Sequence, residues 1–148
     1  MPAFVTLGRI LFAVLFIFSG ASKLLDVSAT AQMTEKVVFP ALLAPYTAQL
    51  ETVTGMPTAQ LLAIGSGALE VVCGLMIALN FGARFFAIVL ILFVAAATFY
   101  FHDFWNQTGV EARGNLVHAL KNLSIIGALL MIAGSSRVGR VQEPAYDV

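Results

Sequence analysis

Apolar residues in this chain do not alternate with polar ones at the two-residue period of a strand. They collect into four blocks of roughly 17 to 23 residues, at about 4–25, 57–79, 85–101 and 116–133. A helix rises about 1.5 Å per residue, so each block is long enough to cross a hydrocarbon core of about 30 Å. The pattern predicts an all-α membrane protein: a four-helix transmembrane antiparallel bundle forming a single domain over 1–148. The longest connection, 26–60, has mixed polarity, and its apolar piece VVFPALLAPY is too short and too broken by Pro40 and Pro45 to span. Short interfacial helices are expected over 27–54, packed over the mouth of the bundle. Pro57 then opens the second spanning helix as a first-turn proline. The short link NFGAR, 80–84, makes helices two and three an antiparallel hairpin, and 106–115 reads as a loop.

At helical spacing the first block places Arg9, Ala13, Phe16, Gly20 and Lys23 on one face. The second places Ala63, Gly67, Glu70, Gly74 and Ala78 on one stripe. Small residues mark close helix contact in membranes, so both faces are expected to point into the bundle, Glu70 with them. The third block is continuously apolar; Arg84, Ile91, Ala95, Thr98 and His102 share a face. It ends in YFHDFW, 100–105, whose Tyr100, Phe101, Phe104 and Trp105 form an aromatic belt at the water boundary. The fourth opens with HALKNL, setting His118, Lys121 and Asn122 on one surface in its first two turns.

Composition sharpens this picture. The chain is 59% hydrophobic and 11% charged, which an ordinary soluble domain is not. Eight basic and eight acidic residues balance without a basic run, so neither nucleic acid nor a polybasic lipid-binding tail is indicated. The lone Cys73 permits no intramolecular disulfide and reads as a small core residue. Block one has the outline of a secretory signal, with Arg9 before an apolar centre and Ser19 and Ala21 at cleavage-site spacing. Three further blocks make an uncleaved first helix the expectation. Four crossings put both termini on one side. Arg9, Arg84, Arg137 and Arg140 lie there with no acid close to a helix end, which favours cytoplasmic termini, and the tail from Gly134 reads as a solvated end.

Glu70 is where chemistry is expected, because a carboxylate in an apolar helix is costly unless compensated. Helical rise puts it roughly 14 to 20 Å below the outer surface and Lys121 roughly 8 Å below it. A lysine can snorkel, so Lys121 or Lys23 could reach Glu70 from above. His118 and Asn122 adjoin Lys121, and His102 with Asp103 closes the top. One polar cluster is therefore expected in the outer half of the bundle: Glu70, Lys121, His118, Asn122, His102 and Lys23. It reads either as an ion pair fixing helix register or as a pocket that handles protons or binds a polar head group such as a quinone carbonyl. A metal site from His102, His118, Asp103 and Glu70 is the weakest alternative, since their spacing follows no recognised motif. Arg9, Arg84 and Trp105 are expected to be interface anchors.

The segments GRILFAVLFIFSGASKLLD (8–26), GMP (55–57), LEVVCGLMIALNFGAR (69–84), ATFYFHDFW (97–105) and HALKNLSIIGALL (118–130) cover all four blocks in order, and in this the chain resembles the DoxX family. The resemblance implies a small, multi-pass bacterial inner-membrane protein whose relatives belong to quinone-linked redox or oxidative-stress systems. It places the family's recurrent polar positions on Arg9, Gly20, Lys23, Glu70, Gly74, Gly82, Arg84, His102, His118, Lys121 and Asn122, with no catalytic role attached. The chain departs in its long 27–54 connection and lacks the cysteine pair of a sulfur relay. The alternative functions are a non-catalytic accessory subunit of a larger membrane complex and, less favoured, a small transporter; the expected partners are the lipid bilayer and either other membrane protein subunits or further copies of the chain in a homo-oligomer.

Overall fold

The computed structural model describes residues 3–135, so the expected solvated tail lies mostly outside the described residues. Among these described residues, four helices are long and apolar enough to cross a membrane: α1 (Ala3–Leu25), α4 (Thr58–Ala78), α5 (Ala83–Phe101) and α6 (Gly109–Ser135). Between α1 and α4 the chain forms α2 (Val27–Thr34), a 3-10 turn at Ala41–Leu43, and α3 (Ala44–Thr54). The short helices expected in the 27–54 connection are therefore present. α6 begins seven residues earlier than its apolar block, because Glu111 suits the positive end of a helix and the polar turns before Leu116 can remain helical beyond the hydrocarbon.

Local signals explain the boundaries. Asp26 caps α2, its carboxylate accepting from the Ala29 N–H at 3.0 Å. Pro57 stands just before α4 rather than inside its first turn, so its carbonyl accepts from the Gln60 and Leu61 N–H groups. The α4–α5 hairpin turns through Asn80, which has φ 58°. The Phe81 N–H reaches the Met76 carbonyl at 2.9 Å and the Asn80 N–H reaches Ile77 at 3.1 Å, closing α4 in a Schellman arrangement.

α4 organises the bundle. It runs antiparallel to α1 in the most extensive helix pairing among the described residues, carries α2 on its first turns and turns back into α5, against which α6 packs. Glycine sets the α1–α4 distance. An ideal Cβ on Gly20 would lie 2.5 Å from the Gly67 carbonyl oxygen and 2.9 Å from the Glu70 Cβ; one on Gly74 would meet Ile17 at 2.9 Å. The expected faces hold: Ala13, Phe16 and Gly20 are buried on α1, and Ala63, Gly67, Glu70 and Gly74 on α4. One core then runs through all four spans, from Ala13 and Phe16 through Cys73 and Ile77 to Ala87, Leu90, Val94 and Leu129. Outside it, large apolar side chains such as Phe18, Leu92 and Leu123 are exposed, as a lipid-facing surface requires.

On α5 the buried residues are Ala83, Ala87, Leu90 and Val94, not the face through Arg84, Ile91 and Ala95. Arg84 and Ala95 are exposed. A helix apolar on every side has no periodicity to orient it, and the small Ala83 and Ala87 decide which side approaches its neighbours.

Beyond the spans, Glu51 on α3 secures the start of α4. Its Oε1 accepts from the Thr58 N–H at 2.6 Å and the Thr58 hydroxyl at 2.5 Å. The hydroxyl bond, then the backbone bond, hold its carboxyl below the ordinary glutamate value.

Two outcomes follow from this packing. Gly20→Ala is expected to lower stability by roughly 1–3 kcal/mol in detergent unfolding, because the added methyl meets backbone. Gly127→Ala, where a Cβ meets nothing within 4 Å, is expected to be neutral or stabilising. Because the folded Glu51 carboxyl is lowered, its contribution is present above the unfolded pKa and lost as pH falls through the folded one. Hydrogen exchange at the first turn of α4 should accelerate across that acidic window in the wild type and be faster at neutral pH in Glu51→Gln.

Candidate functional site

Glu70 lies 12 residues beyond Thr58, about 18 Å along α4. It is 4% exposed. Its partner is Lys23, near the end of α1, whose Nζ lies 2.5 Å from Oε2. Ser19, one turn earlier on α1, completes the centre: its hydroxyl lies 3.3 and 3.2 Å from the two Glu70 oxygens and accepts from Lys23 Nζ at 2.7 Å. The glycines create this geometry. Gly20 lies between Ser19 and Lys23 in sequence, and Gly67 is one turn before Glu70, so the helix contact that excludes lipid also brings the charges together. Charge-assisted hydrogen bonds in an apolar bundle are strong, and here they compensate a carboxylate that lipid could not solvate. The Lys23 side chain is 27% exposed, against 6% for Glu70, so the lysine forms the accessible side of the pair.

The expected single cluster resolves into two. His102, at the end of α5, stacks on His118 of α6 with ring centroids 4.9 Å apart and planes within 11°. His102 Nδ1 lies 3.0 Å from the Asn115 Oδ1, the Asn115 amide donates to Gln107 at 2.6 Å, and the Gln107 amide donates to Asp103 at 3.0 Å. With the Asn115 amide engaged as donor, its oxygen accepts and the Nδ1 proton is assigned from that network. Asn122 donates to the Thr98 hydroxyl at 2.9 Å, a second polar tie between α5 and α6.

Lys121 is exposed on α6 and makes no ion pair with Glu70. Its neighbour Asn122 is turned toward α5, while Glu70 faces α1. The pair therefore forms through Lys23, the other lysine named from sequence. Nor do the four weakly proposed metal ligands come together: Glu70 is occupied on α1 and Asp103 accepts from Gln107. Parallel imidazole rings keep their in-plane lone pairs from converging on one ion. Among the described residues, no group of three or more His, Cys, Asp or Glu side chains is placed to hold a metal.

Of the proposed anchors, Arg84 and Trp105 are exposed, and Trp105 joins Phe99 and Phe104 in an aromatic group at the end of α5. Arg9 is half-buried at the opposite end of the bundle, beside a cleft between α1 and α6.

Ser19, Asn115, Gln107 and Thr98 are site members that sequence reasoning missed. Ser19 carried a signal: it stands four residues before Lys23, at the spacing that aligns side chains on a helix. Asn115 and Gln107 had none, because a loop reading of 106–115 hides which residues face α5.

The ion pair predicts strong coupling. Lys23→Met leaves a buried carboxylate with Ser19 alone and Glu70→Leu leaves a half-buried ammonium. A double-mutant cycle on unfolding should therefore show the double variant more stable than the sum of the single losses by about 1–3 kcal/mol. Additive losses would show that the two charges do not interact.

The comparisons with known proteins agree with this architecture. The DoxX family model matches residues 4–56 and 45–103, which together span α1 to the end of α5. The inner membrane protein YphA of Escherichia coli (strain K12) is 29% identical over 132 residues, an alignment covering 89% of this chain and 82% of that protein. No solved structure matches the chain. With the family's signature over more than half its length and four apolar spans, the chain is a multi-pass membrane protein that belongs to the DoxX family.

Proposed function

We propose that this DoxX protein resides in a bacterial inner membrane with cytoplasmic termini and is a component of a quinone-linked redox or oxidative-stress system. Its Glu70–Lys23–Ser19 centre is the place where a quinone carbonyl is bound or a proton is passed. One observation carries the reading: a buried carboxylate is bonded to a lysine that remains partly exposed. Lys23 can donate to a carbonyl oxygen from the accessible side, while Glu70 can take up or release the proton that accompanies reduction. Reducing a quinone takes two electrons and two protons, and the electrons come from a partner redox protein. The YphA relative, an inner membrane protein, supports the location, and Arg9 and Arg84, at the end of the bundle where α1 starts, support the orientation.

A second reading, a non-catalytic accessory subunit of a larger complex, is favoured by the mutual satisfaction of Glu70, Lys23 and Ser19, which ties α1 to α4 without needing any ligand.

The two separate on bound quinone. Protein extracted with native lipids should retain quinone by chromatography. Glu70→Gln and Lys23→Met should each reduce it by about tenfold, the weakening expected from one lost charge-assisted hydrogen bond. Folded variants that retain both the quinone and the redox phenotype would overturn the proposal in favour of the accessory role.

A further inference from the structure

The end of the bundle opposite the ion pair carries a second polar feature that the redox reading does not use. A cleft of about 340 Å³ opens between α1 and α6. Three elements bring polar groups to its rim: Arg9 from α1, Asn80 from the α4–α5 turn and Ser135 from the last residue of α6. Asn80 closes α4 and Ser135 closes α6, so all three stand at the same membrane boundary. The walls are apolar. Phe12 lies one turn deeper than Arg9, and Ala128 lies about two turns in from Ser135, so the cleft changes from polar at the boundary to apolar within the bundle.

We propose that this cleft is a binding site for an anionic phospholipid, with the phosphodiester on the Arg9, Asn80 and Ser135 rim and the start of one acyl chain between α1 and α6. A guanidinium offers a planar set of five donors suited to phosphate oxygens, so Arg9 can serve a phosphate while keeping other contacts. Asn80 adds an amide at the same level, and the Ser135 hydroxyl, which donates to the Ile132 carbonyl at 3.1 Å, can turn to the phosphate by giving up that bond. No acidic side chain lines the cleft among the described residues. Among the described residues a head-group ammonium meets no counter-charge there, which favours a lipid of net negative charge over a zwitterionic one. The acyl chain follows from the apolar walls, which a free phosphate ion would not use. Gly8, also lining the cleft, supplies the control, since a Cβ built on it meets nothing within 4 Å. A large side chain at Gly8 is thus expected to fill the cleft without disturbing a helix contact.

The experiment is native mass spectrometry of the full chain, titrated with phosphatidylglycerol or with phosphatidylcholine of matched chains. One phosphatidylglycerol is expected to bind preferentially, and Arg9→Gln and Gly8→Phe should each weaken it by about tenfold. Arg113→Gln, on the exposed first turns of α6 at the opposite end of the bundle, should leave it unchanged. An excess of inorganic phosphate should fail to displace the lipid. Equal retention of the two lipids, displacement by inorganic phosphate, or unaltered binding in both cleft variants would overturn the assignment. Should Arg9→Gln fail to fold, Gly8→Phe alone decides it: unaltered binding refutes the site. Quinone content in the same samples is expected to stay at the wild-type level, which separates this site from the ion-pair centre.

Discussion

A carboxylate held where lipid surrounds the protein must be compensated from inside the bundle, and the compensation at Glu70 depends on how closely two backbones can approach. Lys23 and Ser19 reach Glu70 because Gly20, Gly67 and Gly74 leave no side chains to hold α1 and α4 apart. In a membrane the hydrophobic effect gives little preference for helix contact over lipid contact, so close packing and polar satisfaction supply the association. Here both act on the same pair of helices. The cost of ionising a buried acid and the cost of ordering α1 against α4 are offset by one set of contacts, and α4 becomes the element on which α2 and α5 also build.

The rest of the bundle is held differently. α5 and α6 meet through stacked imidazoles, an amide chain from Asn115 through Gln107 to Asp103, and the Thr98–Asn122 bond. These contacts concentrate toward the end of α5, where water can reach half-buried groups. Two polar regions with different chemistry thus occupy the half of the bundle away from the start of α1: an ion pair between α1 and α4, and a hydrogen-bonded chain of amides and imidazoles between α5 and α6.

Hydropathy made the four spans legible, and small residues made the facing sides of α1 and α4 legible, because glycine at helical spacing has a steric meaning independent of context. The rotation of α5 was not legible, since continuous apolarity carries no phase and only Ala83 and Ala87 against neighbours could set it. Depth counting placed Lys23 and Lys121 as equal candidates for Glu70. Counting along a helix gives height but not azimuth, and azimuth decided between them. The same limit merged the histidine group with the glutamate group, although different helix pairs carry them. The early start of α6 was obscured because VEARGN is polar enough for a loop, while its backbone only needs water-side solvation to remain helical.

That early start bears on how the protein meets bilayers of different thickness. α6 has 27 residues, about 40 Å of helix, against a hydrocarbon slab of about 30 Å. Its polar first turns carry Glu111, Arg113 and Asn115, which belong with head groups and water, so this end is built as a projection beyond the apolar block. A thicker membrane can draw part of this projection inward and a thinner one can expose more of it, leaving the Glu70 centre undisturbed. Of the histidine–asparagine group Asn115 stands on this projection, while His118 lies just inside the apolar block and His102 ends α5, so the group ties the projecting turns to the rest of the bundle.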